Sequence, residues 1–104
     1  MKKMKFEAKV FEGHMKLIAI HLPLDPARVW GKQPRYFVKG TVEKCRFTGE
    51  IGFRRGFHYM LLDKPLLMKA GLAVGDLALF VLEPRKPSTE ELAEKPNLAW
   101  ARVT

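Results

Sequence analysis

Arg54-Arg55 stands between Phe53 and Phe57, so two guanidinium groups share one short segment with two aromatic rings. Guanidinium groups hold phosphates through forked donors, and aromatic faces stack on bases; together they suit a nucleic acid or another polyanion. Arg35, Lys39, Lys44 and Arg46 lie a short way upstream and extend the candidate surface along neighbouring segments. The plainer expectation is that Phe53 and Phe57 point into a core while Arg54-Arg55 decorate a solvated turn, since turn tips attract charge. Convergence of these cations on one face would favour nucleic acid, dispersal would favour simple solubility, and an open apolar patch would favour a protein or small-ligand accessory role.

Other chemistries find less to work with. Asp25 and Asp63 each precede a proline-led helical start, and Asp76 follows Gly75 in a turn, so all three carboxylates have local backbone roles. Glu7, Glu12, Glu43 and Glu50 alternate with apolar neighbours or sit in turns, where solvated residues belong. No nucleophile elbow, phosphate-binding glycine loop or plausible Ser/His/Asp set occurs. The reading is therefore of a non-enzyme. His14, His21, His58 and Cys45 lack the close pairing of structural zinc sites, so neither a metal nor another cofactor is expected. His14 suits a hairpin tip, His21 a strand end and Cys45 a small core position.

Charge is the compositional outlier, with 19 Lys and Arg against 11 Asp and Glu in 104 residues. Residues 1–82 carry 15 basic and 7 acidic side chains, whereas residues 83–104 carry 4 of each, so the excess lies on the first part. Such a field attracts anionic partners, although scattered lysines also simply maintain solubility. Cys45 is the lone cysteine, which suits a reducing, cytoplasmic setting. The basic start Met1-Lys2-Lys3-Met4-Lys5 is followed by charged residues rather than a signal peptide's apolar stretch. Apolar runs such as Leu17 to Ile20 and Leu77 to Leu82 are far shorter than a membrane-spanning helix, so no membrane partner is expected.

The elements that must position these residues are mostly strands. Met4, Phe6, Ala8 and Val10 alternate with charged residues, and Lys16 to Leu22 follows a Glu12-Gly13-His14 turn; the two segments are expected to form a hairpin. Asp25, Pro26 and Gly31 punctuate a single helical turn that would bring Trp30 over a barrel mouth. Arg35 to Lys44 reads as a strand with Tyr36, Val38, Gly40 and Val42 on one side, Gly40 marking a bulge or sharp coil. Cys45 to Phe53 reads as a further strand broken by Gly49 and Gly52, and Phe57 to Leu62 as the next. Asp63, Pro65 and Gly71 then bound a short helix, Val74-Gly75-Asp76 reverses the chain, and Leu77 to Leu82 alternates as a final strand.

Residues 1–83 thus make one mainly β barrel domain of six or seven strands with two or three short capping helices. Residues 84–104 add a proline-interrupted linker, a helix over 89–95 with Ser88 and Glu91 at capping-box spacing, and a tail in which Leu98, Trp100 and Val103 dock on the same domain. With enough strands to close a barrel alone, the chain is expected to be a monomer.

Four segments carry a resemblance: FEAKV at residues 6–10, RYFVKGTVE at 35–43, GFHYMLLDKPLL at 56–67 and AGLAVGDLALFVLE at 70–83. In this order they resemble a bacterial domain-of-unknown-function family often found ahead of a YdeI/OmpD-associated domain. The resemblance implies a double-split β-barrel similar in architecture to AbrB and MazE, with no catalytic residue to carry over. It also implies that any associated domain would come as a separate partner chain, since only PSTEEL at residues 87–92 looks like that domain's opening.

Overall fold

Met4, Phe6 and Ala8 are buried while Lys5, Glu7 and Lys9 are exposed, the period-two signature of a strand with one face on a core. In the computed structural model, which describes residues 2–93, this strand is β1 (Met4–Lys9), followed by β2 (Phe11–Glu12), β3 (Ile18–His21), helix α1 (Pro26–Trp30), β4 (Tyr36–Val42), β5 (Cys45–Arg54), β6 (Phe57–Leu62), helix α2 (Lys64–Ala70), β7 (Leu77–Pro84) and helix α3 (Thr89–Ala93). The seven strands form one antiparallel sheet in the order β1-β7-β4-β5-β6-β3-β2. The two outermost strands, β1 and β2, are consecutive in the chain. Val10 between them therefore draws the sheet's two ends together and nearly closes a barrel.

Backbone bonds carry the β1–β7 pairing on through this linking residue. Val10 N–H donates to the Asp76 carbonyl at 2.9 Å, and Gly75 N–H donates to the Val10 carbonyl at 2.7 Å. Gly75 holds a φ of 98°, a conformation costly for side chains with a Cβ, and Asp76 Oδ2 accepts from Ala73 N–H at 2.9 Å to brace the turn. The inner rows of the strands, among them Val10, Ile20, Val38, Val42, Met60, Phe80 and Leu82, make the core. Trp30 packs against its edge while its indole N–H donates to the Lys2 carbonyl at 2.6 Å.

Both principal helices are capped by the aspartates that precede them. Asp25 Oδ1 accepts from Ala27 N–H at 3.0 Å, and Asp63 Oδ1 accepts from Leu66 N–H at 2.9 Å. Gly71 ends α2 in the left-handed conformation at φ 68°, ψ 33°. Cys45 lies at the core's edge, its thiol donating to the Lys69 carbonyl at 3.4 Å.

Three local expectations need correction. Residues 4–10 do not pair with residues 16–22: β1 pairs with β7, and only the two residues of β2 pair with β3. The six-residue match of β1 to β7 buries Met4, Phe6 and Ala8 against Leu82, Phe80 and Ala78, an apolar gain that a local hairpin does not offer. Strand β5 runs unbroken through Gly49 and Gly52. Both glycines make room for β6 instead: a Cβ at Gly49 would meet Met60 Sδ at 3.3 Å, and one at Gly52 would sit 2.5 Å from Tyr59 Cζ. Strand β4 ends at Val42, because Glu43 and Lys44 turn the chain with φ values of 47° and 70°. Gly40 is required at its position, since a Cβ there would collide with the Val81 carbonyl of β7. The expected docking of Leu98, Trp100 and Val103, and the helix end at Pro96, lie outside the described residues.

Candidate functional site

The β5–β6 hairpin ends in a two-residue loop, with Arg54 opposite Phe57 and both Arg55 (φ 52°) and Gly56 (φ 83°) left-handed. This is the twist that matches flanking strands in a tight hairpin. The last inward pair with full burial is Ile51 opposite Met60; beyond it the hairpin runs past the barrel's rim. Phe53, on the inward row past that pair, and Phe57, on the outer row opposite Arg54, emerge into solvent at 63% and 56% exposure. The expectation that these rings point into the barrel is overturned: the apolar interior ends before Phe53, and strand alternation turns Phe57 outward.

Strand order assembles the rest of the site. On the outer face, Phe11 of β2 is opposite Ala19, His21 of β3 is opposite Tyr59, and Phe57 of β6 is opposite Arg54 of β5. Diagonal neighbours across these strands meet: Phe11 lies 4.5 Å from His21 between ring centroids, and His21 stacks on Phe57 at 4.7 Å with planes only 13° apart. A row of three rings thus crosses β2, β3 and β6 and ends beside the guanidinium-bearing edge of β5. Phe53 has its own companion, His58, at 4.6 Å.

Beneath the ring row, Tyr59 packs over Gly52 and with Ala19 forms a small second cluster on the barrel's outer side. Burial pushes the Tyr59 phenol above its ordinary value of 10.0; the Arg54 charge pulls it down, and the Glu50 charge pushes it up again. Arg54 and Glu50 thus both lie within electrostatic reach of the phenol, but they are not paired. Both Glu50 oxygens are taken by Arg35, with Nε at 2.7 Å and Nη2 at 2.8 Å. Arg54 Nη2 is buried and has no hydrogen-bond partner among the described residues. That nitrogen is an unsatisfied buried donor, a cost borne by the fold.

The six upstream and tip cations do not form the single surface expected of them. Arg54 and Arg55 sit together at the tip, whereas Lys44 and Arg46 lie toward the far end of β5, about 30 Å away for a ten-residue strand. Arg35 is committed to Glu50, and its guanidinium also lies over the Phe37 ring at 4.7 Å, as does that of Arg85 at 5.5 Å. Lys39 lies 3.5 Å from Glu83, which Lys3 approaches at 4.0 Å. Lys39 and Arg46 do share a groove of about 690 Å³ on the outer face of β4, β5 and β7, but Glu83 lines it too. The physical reason for the separation is that β4 and β5 are long, so a run of cations along them samples both ends and is interrupted by cross-strand carboxylates.

Asp25, Asp63, Gly71, Gly75 and Asp76 have the cap and turn geometry already described and contribute no group to this tip. Val74, Leu77 and Leu79 are exposed at the opposite end of the barrel. Among the described residues no three His, Cys, Asp or Glu side chains gather as a metal site, and no helix is long and apolar enough to cross a membrane. Phe11, His21 and Tyr59 were not singled out as members of the site. Alternation in β3 marks His21 as outward, but only the order β2-β3-β6-β5 brings it to Phe57. In comparisons with known proteins, the chain matches no family model and no curated sequence.

Proposed function

We propose that this protein is a non-enzymatic binding module for polyanions, nucleic acid foremost, and that the β5–β6 tip is its contact site. The observation that carries the reading is the exposure of Phe53 and Phe57 beside Arg54 and Arg55 at the hairpin tip. Arg35 and Lys39, which already have carboxylate partners, are secondary to it. The non-enzymatic part rests on how the carboxylates are used. Asp25, Asp63 and Asp76 accept backbone N–H groups, Glu43 accepts from Leu79 N–H at 2.7 Å, and Glu50 and Glu83 hold cations.

The barrel is, in the same reading, a double-split barrel of the AbrB/MazE kind acting as a cytoplasmic monomer. Closure of the sheet by the chain's own β1 and β2 supports a fold complete without a swapped partner. The test is a titration of labelled oligonucleotides by fluorescence anisotropy at low and moderate salt. Replacing both tip arginines, Arg54→Gln with Arg55→Gln, should weaken binding about tenfold or more, from the loss of two charge-assisted contacts. No binding by the unaltered protein at low salt refutes the proposal.

A further inference from the structure

The tip's rings do more than accompany its charges. His21 and Phe57 already form two layers of a nearly parallel stack, with planes 13° apart and centroids 4.7 Å apart. Phe57 nevertheless keeps more than half of its surface in solvent, and His21 is its only ring partner among the described residues. An aromatic stack left open at its outer layer, next to a cationic edge, has the form of a platform for one further flat ring. Phe53, still more exposed and tilted against His58, provides a second ring on the other side of Arg54.

Resting on the polyanion reading of the tip, we infer that the ligand is a single-stranded nucleic acid whose unpaired base stacks on Phe57 while Arg54 and Arg55 hold the adjoining phosphates. Duplexes cannot use such a platform, because their bases are already stacked and paired; only the phosphates remain for the arginines. A phosphate polymer without bases is limited in the same way. His21 covers one face of Phe57, and Phe11 lies against His21 in turn, so the base is received on the face of Phe57 turned away from His21.

The experiment compares three probes on the full chain: a single strand of about 15 nucleotides, within the site sizes of single-strand binders, its blunt duplex, and inorganic polyphosphate as competitor. The single strand should bind about tenfold more tightly than the duplex. Phe57→Ala should lower single-strand affinity about tenfold while leaving duplex affinity and polyphosphate competition unchanged, with its far-ultraviolet circular dichroism and melting temperature confirming that it folds. A second variant, Phe57→Trp, should keep the affinity and show its added indole emission quenched by the single strand. Equal affinity for single strand and duplex, or a Phe57→Ala variant that binds the single strand normally, would overturn the stacking inference. If those results come with binding that still depends on Arg54 and Arg55, the polyanion reading survives alone. Absence of all binding removes both.

Discussion

Tyr59 links the fold's requirements to those of the tip. Its ring lies over Gly52, where no larger residue fits, and its phenol sits between Arg54 and Glu50 in electrostatic terms. Because burial raises the folded phenol above 10.0, the unfolded chain releases this proton first as pH rises. The folded state therefore binds more protons in that window, and its stability must fall as pH climbs from about 10 to the folded value. Below that window the phenol is neutral in both states and contributes no pH dependence. Urea unfolding across pH 9 to 11 should show a loss in the unaltered protein that Tyr59→Phe reduces; parallel profiles for the two would disprove the assignment. At this scale the sequence was partly legible. Arg54-Arg55 between Phe53 and Phe57 marked the tip, but nothing local showed that those rings emerge, since Phe53's exposure depends on where the hairpin outruns the core and Phe57's on which row of β6 faces out. Tyr59 and His21 could not be recognised as neighbours of the tip, because strand order rather than sequence distance puts them there.

The same contrast holds for whole elements. The run from Asp63 through α2, Gly75-Asp76 and β7 was readable because each signal acts on residues within a turn of itself: Asp63 on Leu66, Gly71 on the helix end, Asp76 on Ala73. The pairing of β1 with β7 was not, because its paired residues lie 68 to 78 positions apart and only complementary apolar rows select the match. Nor was the Glu43-Lys44 turn, which places two non-glycine residues in the left-handed region. Glu43 there has a long-range use: its carboxylate and its N–H bond Leu79 of β7, extending the ladder past the end of β4. Arg55 occupies similar backbone at φ 52° without any hydrogen-bond partner among the described residues, so its conformational cost is not offset within the fold. Arg55→Asn should therefore stabilise the hairpin by ~0.5–1 kcal/mol, since Asn tolerates left-handed backbone better, while weakening polyanion binding. Opposite movements in chemical denaturation and oligonucleotide affinity would mark Arg55 as a residue retained for its charge. A variant equal to the original in both would show that Arg55 is neither strained nor used.

For the molecule as a whole, the question is whether binding is a property of the tip or of the net charge of +8. The fold spreads that charge. Lys39 and Lys3 converge on Glu83, Arg35 is bound to Glu50, and Lys44 and Arg46 are remote from Arg54. A ligand seated at the tip would release counterions from only the phosphates that Arg54 and Arg55 contact. With about 0.7 counterion released per phosphate on a single strand, two contacts give a slope of about −1.4 in log affinity against log salt. A strand wrapped over the barrel and meeting about six cations would give a slope near −4. Affinities measured over a graded salt series distinguish these cases without any variant, and a steep slope would move the site off the tip onto the barrel's whole basic surface. The shallow slope carries a further consequence. With so few charges engaged, binding at moderate salt must draw on stacking, which salt screens little, so single-strand preference should widen as salt rises and duplex affinity disappears first.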